Sequence, residues 1–246
     1  MKKRLLVLGL AFTMLAATAC GTSADDGNKT SKADKTVTAT SNSDKTSETQ
    51  KNDDKKDDAK ESYKSADDIT MDDLKNHEET PAEDFEYADG PDGSVVIEGY
   101  TGEDPIVVIP NEIDGKKVVD FGRMFTNNKD VVAIKVGDNV EDIMENAFTN
   151  CDNLKYIVFG KNVKVINDGL LGGSKIEQIE FNDGLEKLGS NVSGVGLKSK
   201  IDVSIPESVT EMTFRGAKTL IVKSGSYAES YAKEYADKLG MAYKVE

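Results

Sequence analysis

The sequence has few of the residues on which metal proteins and many enzymes depend. It contains one histidine, two cysteines and no tryptophan among 246 residues. One histidine and so few thiols cannot assemble a zinc, iron or copper site of the usual ligand type. Two cysteines also exclude a disulfide framework as the main source of stability. We therefore expect no metal, no cofactor and no enzymatic activity.

Positive charge is also in short supply. The chain has 31 lysines and arginines against 45 acidic residues, a formal net charge of −14 at pH 7. Such a chain repels the phosphates of nucleic acids. The charge therefore predicts that nucleic acid is not a partner.

Long apolar runs are missing except at the N-terminus. Lys2, Lys3 and Arg4 precede the apolar run 5–16, and the small residues 17–19 follow it. This order is typical of a secretory signal peptide. About a dozen apolar residues are too few to span a bilayer.

The residues up to Cys20, Leu-Ala-Ala-Thr-Ala-Cys, resemble the lipobox of bacterial lipoproteins, with Ala17 where leucine is commonest. The resemblance implies a lipoprotein signal over 1–19 and a lipidated Cys20, which would hold the protein at the extracellular face of the cell membrane. Several acyl chains at one cysteine suffice for lasting attachment. The alternative is ordinary cleavage near Ala19, with Cys20 left as a free thiol.

Residues 20–83 are rich in Ser, Thr, Lys, Asp and Glu. A segment with so little to bury cannot offset the entropy of ordering, so we predict a disordered stalk. As a flexible coil of some sixty residues it would reach on the order of 45 Å. The helix-start pattern at 70–74, Thr followed three residues later by an acid, predicts no more than a transient helical turn.

Two series of apolar positions recur every 22 to 24 residues beyond this stalk. Apolar-x-x-apolar segments form the first series, and segments with alternating apolar residues form the second. The first series begins at Val118, Val140, Val163, Leu185 and Val209, and the second at Ile134, Ile157, Ile179 and Val203. Alternation indicates short strands with one buried face. Units this small bury that face only by stacking, so we predict a repeat solenoid of short parallel strands over 84–246.

The fullest copy of the repeat lies at 143–157, with the sequence Ile-Met-Glu-Asn-Ala-Phe-Thr-Asn-Cys-Asp-Asn-Leu-Lys-Tyr-Ile. It resembles the BspA-like leucine-rich repeats of bacterial cell-surface proteins. The resemblance implies a leucine-rich-repeat array and a role in binding proteins or glycans. The unit that begins at Leu185 lacks the Ala-Phe and Asn-Cys elements, which leaves its outer side without a predicted structure.

Both ends of the array carry capping signals. The turn sequence 89–93 between apolar segments predicts a β-hairpin at the front. At the back, Ser226 and Glu229 form a capping box, and an apolar stripe ending before Gly240 predicts a helix that covers the last repeat. Residues 241–245 are predicted to add a final strand.

Candidate chemical sites have simpler structural interpretations. His77 lies among acidic residues of the predicted stalk and is expected to be solvated. Cys151 has no neighbouring base and is expected to pack as a small buried side chain. The glycines of 194–196 precede a strand and do not lead into a helix, which disfavours a phosphate loop. No calcium-loop pattern is present, and no pair of carboxylates is singled out for glycosidase chemistry.

The outward positions of the second series predict a ligand-binding face. Side chains alternate across a strand, so residues between the buried ones line up on the opposite side. The predicted ligand-binding residues are Lys135, Tyr156, Val158, Gln178, Glu180, Asp202 and Ser204. The alternative is a solvated sheet that binds nothing.

The sequence thus favours a cell-surface, lipid-anchored, non-catalytic module for adhesion or for recognition of a protein or glycan ligand. A structural role in assembling the envelope of the same cell is the alternative, and an enzyme is a third class.

Overall fold

The computed structural model describes residues 65–190 and 201–246. The predictions for the signal peptide 1–19, for Cys20, for the stalk up to residue 64 and for the glycines of 194–196 lie outside these residues.

The described residues form two α-helices and fifteen short strands. In chain order these are α1 (Met71–Asn76), β1 (Phe85–Asp89), β2 (Val95–Tyr100), β3 (Ile106–Val108), β4 (Glu112–Ile113), β5 (Lys116–Asp120), β6 (Ala133–Lys135), β7 (Asp142–Ile143), β8 (Tyr156–Val158), β9 (Val165–Ile166), β10 (Gln178–Glu180), β11 (Lys187–Leu188), β12 (Asp202–Ser204), β13 (Glu211–Met212), β14 (Thr219–Val222), α2 (Tyr227–Tyr235) and β15 (Ala242–Val245).

The strands build a parallel solenoid, which confirms the predicted architecture. The strands of the second apolar series at Ile134, Ile157 and Ile179 form, together with β3, a sheet in the order β10-β8-β6-β3. The strands of the first series from Val140 onwards form a sheet in the order β13-β11-β9-β7. The remaining sheets are β1-β2-β5-β4 at the front and β12-β14-β15 at the back. Ala133, Tyr156 and Gln178 lie side by side in register, as the repeat spacing requires.

The core lies between the two series of strands. Val140 and Ile143 of one unit and Val163 and Ile166 of the next are fully buried, and the other units repeat this arrangement. Aromatic rings fill one end, where Phe148 contacts Phe121 and Phe125 with ring centroids 5.6 and 5.7 Å apart. Full burial of one such side chain contributes about 1.5–3 kcal/mol.

The asparagines of the repeat pattern lie where the backbone turns between strands. Asn127, Asn146 and Asn150 have φ of 63°, 61° and 58°, a conformation that asparagine tolerates better than most residues. Asn150 Nδ2 donates to Asn127 Oδ1 of the preceding unit at 3.0 Å. The asparagines therefore have two roles. They adopt the backbone conformation that the turns require, and Asn150 joins its unit to the preceding one through a hydrogen bond.

Both predicted caps are present. β1 and β2 pair antiparallel around a short 3-10 turn at Pro91–Gly93, which confirms the hairpin. At the back, Ser226 Oγ accepts from Glu229 N at 3.1 Å and starts α2, whose Ala228 and Ala232 are buried against the last unit. The left-handed Gly240 then turns the chain into β15.

The predicted boundary at residue 84 is wrong, because residues 65–83 are folded against the repeats. Thr70 Oγ1 accepts from Asp73 N, and the Asp73 carboxylate accepts from Thr70 N, which completes a capping box. Ile69 and Leu74, on either side of this cap, are both buried. The helix persists because its apolar residues find a surface to cover, and a segment analysed in isolation does not reveal that surface.

Candidate ligand-binding face

The strand face is the outer surface of β3, β6, β8, β10 and β12, on which the sequence places its candidate binding residues. Ile157 and Phe159 point into the core, as predicted. Their neighbours point to the opposite side, where the structure divides the face into a covered half and an open half.

The covered half comprises β3, β6 and β8, and α1 lies across it. Ile69, Met71 and Leu74 form a buried apolar cluster with residues of this face, namely Ile106, Val108, Val132, Ala133 and Tyr156. Tyr156, one of the residues predicted to lie on the exposed ligand-binding face, is 9% exposed. The prediction of exposure is wrong because the preceding segment covers both Tyr156 and Ala133. Lys135 and Val158 are half-buried at this site.

Polar contacts fix the segment around α1 at several points. Lys155 Nζ donates to Asp67 Oδ1 at 2.5 Å, and Lys75 Nζ lies 2.6 Å from Glu180 Oε1. Beyond the helix, Thr80 N donates to Val108 O at 3.0 Å, and Thr80 Oγ1 accepts from Val108 N at 2.9 Å. Residues 65–80 therefore behave as an additional layer of the repeat domain.

Hydrogen bonding and burial shift the pKa values of three ionisable groups at this site. The hydrogen bond to Asp67 raises the pKa of Lys155, and the same bond lowers the pKa of Asp67. Burial raises the pKa of Tyr156, whose hydroxyl donates to Glu177 Oε2 at 3.2 Å. At neutral pH, Lys155 is therefore positively charged, Asp67 is negatively charged and Tyr156 is neutral.

The open half begins where the backbone ladder of the strand face is interrupted. Along the array, Ile109 N donates to Lys135 O, Val136 N to Val158 O and Phe159 N to Glu180 O, at 2.9 to 3.0 Å. The next bond in this series would run from Phe181 N to Ser204 O. Within residues 65–190 and 201–246 it is not formed, whereas the corresponding bond one strand further along, from Ile205 N to Ile221 O at 2.9 Å, joins β12 to β14. The sheet is therefore divided between β10 and β12.

A groove of about 1050 Å³ lies at this division. Gln178, Glu180, Asp202 and Ser204 line it, so four of the seven predicted binding residues are brought together. Ile179, Phe181, Ile205 and Pro206 supply its apolar surface. The groove is therefore a mixed polar and apolar cleft on the face that the sequence singled out.

Three charged residues of the groove were missed by sequence reasoning. Asp183, Glu207 and Lys223 also line it, although they follow the strands and do not lie within them. Strand alternation identifies only residues within strands, whereas the groove is also lined by residues of the loops that follow the strands. The signal that was available is position, because Asp183 and Glu207 follow β10 and β12 by the same number of residues.

Other candidate sites have structural roles. Cys151 is buried, its Sγ donates to Phe125 O at 2.9 Å, and burial raises its pKa to about 11, which confirms the packing interpretation. His77 Nε2 lies 3.6 Å from Asp104 Oδ2, so the histidine contacts the repeat domain and is not freely solvated. Among the described residues, no group of three or more His, Cys, Asp or Glu side chains is arranged to hold a metal ion. No helix in the described ranges is long and apolar enough to cross a membrane.

Comparison with known proteins supports the repeat interpretation. The model of the BspA-type leucine-rich-repeat region matches residues 122–217 in six copies. A solved leucine-rich-repeat protein of T. pallidum is 27% identical, with a TM-score of 0.50 over 58% of this chain and 71% of that one.

Two further solved structures are more distant. A leucine-rich-repeat protein of Bacteroides ovatus is 18% identical, with a TM-score of 0.46 over 68% of this chain and 52% of that chain. A leucine-rich cell-surface protein of Faecalibacterium prausnitzii is 17% identical, with a TM-score of 0.33 over 59% and 55% of the two chains. This chain thus spans about half the length of each. Among proteins with curated descriptions, none matches significantly.

Proposed function

We propose that this chain, whose residues 122–217 match the model of the BspA-type leucine-rich-repeat region, is a non-catalytic recognition module displayed on a cell surface. The observation that carries the proposal is the groove between β10 and β12. It offers polar side chains, apolar surface and an interrupted backbone ladder at one place on a rigid array. Ligand sites in proteins commonly combine these features.

The surface location is proposed from the sequence of the N-terminus. The apolar run before Cys20 and the lipobox-like residues around it support lipid attachment at the outer face of the membrane. Incorporation of a labelled fatty acid that is lost in Cys20→Ser is the expected result. Secretion of unlabelled wild-type protein into the medium would contradict the anchor.

The acidic net charge supports a protein or glycan ligand over a nucleic acid. Protein and glycan arrays probed with the full chain are the direct search for it. The variant Gln178→Ala/Asp202→Ala/Ser204→Ala is expected to weaken capture of the ligand found. The matched control Glu141→Ala/Glu186→Ala changes exposed residues elsewhere on the array and should leave capture unchanged. Equal capture by all three proteins would remove the groove as the binding site.

A role in envelope assembly within the same cell is a second candidate, and the back of the array supports it. β15 is the outer strand of its sheet, and all four of its residues are exposed, including Tyr243 and Val245. Exposed edge strands are templates for pairing with another chain. Crosslinking in intact cells distinguishes the candidates, because assembly predicts partners from the same envelope and recognition predicts foreign proteins or glycans.

A further inference from the structure

The geometry points to a ligand class for this groove: a short, extended, basic polypeptide segment whose lysine or arginine side chains face Asp183 and Glu207. The inference rests on the recognition function proposed above and specifies its ligand. Three features carry it, namely the interrupted ladder, the charge balance of the groove and the way in which α1 contacts the groove's rim.

The interrupted ladder supports a polypeptide ligand. Among the described strands, β10 is the outer strand of one sheet and β12 the outer strand of another, so no backbone ladder crosses the groove. Phe181 N is the donor that the repeating pattern leaves without its acceptor. A strand edge of this kind is satisfied by the backbone of an extended segment, which offers donors and acceptors at the same spacing.

The charge balance supports a basic ligand. Glu180, Asp183, Asp202 and Glu207 line the groove, whereas Lys223 is the lysine that lines it. Glu180 is paired with Lys75, and Asp202 lies 3.8 Å from Lys218. Asp183 and Glu207 form no ion pair or side-chain hydrogen bond within the described part of the chain. Among residues 65–190 and 201–246, no cation pairs with these two carboxylates, so a cation of the ligand can do so.

The contact made by α1 shows what the rim of this groove accepts. Lys75 extends from the end of α1 and places its ammonium 2.6 Å from Glu180 Oε1, at the boundary between the covered and open halves. A polypeptide segment that lies on the strand face is thus already joined to the groove through a lysine. A ligand with further lysines would continue the same pattern towards Asp183 and Glu207.

The apolar surface of the groove suits lysine and arginine stems. Phe181 is half-buried and stacks on Phe159, with centroids 5.6 Å apart and ring planes at 13°. Pro206 lies on the β12 side of the groove and is also half-buried. The methylene stems of lysine and arginine cover such surface while their charged ends remain in water.

The test measures binding of a short fluorescent peptide of alternating lysine and threonine to the full chain. Alternation places every lysine on one side of an extended segment. Asp183→Asn/Glu207→Gln should weaken binding roughly fivefold at low salt, since each exposed ion pair contributes little. Glu141→Gln/Glu186→Gln removes the same charge from exposed positions elsewhere and should leave affinity unchanged. Thermal unfolding of both variants checks that the fold is retained.

Three results of the direct binding measurements would overturn the inference. They are the absence of peptide binding, equal weakening by both charge variants, and equally tight binding of the matching glutamate–threonine peptide. Spermine that competes as well as the peptide would also contradict it, because spermine is a polycation without a peptide backbone. If an array ligand depends on the groove while the lysine peptide fails to bind, only the ligand class is wrong. If no array ligand depends on the groove, the groove is not the site of the proposed recognition function.

Discussion

The two halves of the strand face differ in what covers them and in how their strands are joined. In the covered half, β3, β6 and β8 form a continuous ladder beneath α1. In the open half, the ladder stops between β10 and β12 and leaves a groove. The same repeat thus produces a closed, two-sided core at one end and an accessible cleft at the other.

The difference follows the completeness of the repeat. The unit that begins at Val140 supplies Ala147, Phe148 and Cys151, all buried, and its strands stack tightly on their neighbours. The unit that begins at Leu185 lacks these elements, and β12 follows it. The sheet of the first series nevertheless continues through both units, from β9 to β11 to β13. The sheet of the first series is thus continuous through the irregular unit, whereas the strand face is interrupted beside it.

The largest effect is expected from uncovering the closed half with Leu74→Asp. Leu74 is fully buried, and a carboxylate at its position removes apolar packing and leaves a charge to be solvated. Loss of a buried leucine costs about 2–5 kcal/mol, enough to release α1 from the strands. Hydrogen exchange over residues 65–80 should accelerate while the repeats stay folded. Asn76→Ala, on an exposed position of α1, is the control; protection retained in Leu74→Asp would contradict the packing described.

A smaller effect is expected from forcing the turns of the continuous half apart with Gly160→Ala. A Cβ at Gly160 would lie 2.3 Å from Gly137 O and 2.9 Å from Val136 O, which the backbone of the preceding unit cannot relieve cheaply. We expect a loss of about 1–3 kcal/mol in the free energy of unfolding, measured with urea. In Gly184→Ala the nearest atoms would be 3.3 Å away, so the loss should be well below that of Gly160→Ala. Equal losses would contradict the closer backbone approach described at Gly160.

Cys151→Ser should cost about 1 kcal/mol. Ser174 occupies the matching place in the next unit, where its Oγ donates to Phe148 O at 2.7 Å, just as Cys151 donates to Phe125 O. Because burial raises the thiol pKa from 9.0 to about 11, the native state favours the neutral thiol. Its contribution to stability is complete below pH 9 and is lost as the pH rises towards 11. Rapid labelling of the native thiol at pH 8 would contradict this burial.

The smallest effect is expected for Lys75→Ala at the boundary between the halves. The ion pair with Glu180 is exposed on both sides, so its loss should change stability by less than about 1 kcal/mol. The same change leaves Glu180 without its partner and should strengthen binding of the lysine peptide at low salt. Unaltered peptide affinity would show that Glu180 does not contribute to the groove.

The sequence predicted the repeats well because stacked units require apolar residues at a regular spacing, and this spacing can be read from the sequence. The in-register rows, the front hairpin and the capping helix all follow from apolar spacing and turn residues. The covering of Tyr156 did not follow, because Ile69, Met71 and Leu74 are isolated apolar residues in a polar segment. The sequence signal for this packing was the capping box at Thr70, with the apolar residues Ile69 and Leu74 on either side as a hydrophobic staple. Such a staple is stable only when its apolar residues pack against another surface. The groove escaped prediction because it depends on a bond that one unit fails to make.

Amide hydrogen exchange at equivalent positions of successive strands is the most direct measurement of the difference between the two halves. Val136 N and Phe159 N are bonded to the following strand at 2.9 and 3.0 Å, whereas Phe181 N has no such bond among the described residues. We predict strong protection at Val136 and Phe159, and exchange at Phe181 faster by orders of magnitude. Protection at Phe181 equal to that at Phe159 would show that the ladder is closed between β10 and β12, and would contradict the account.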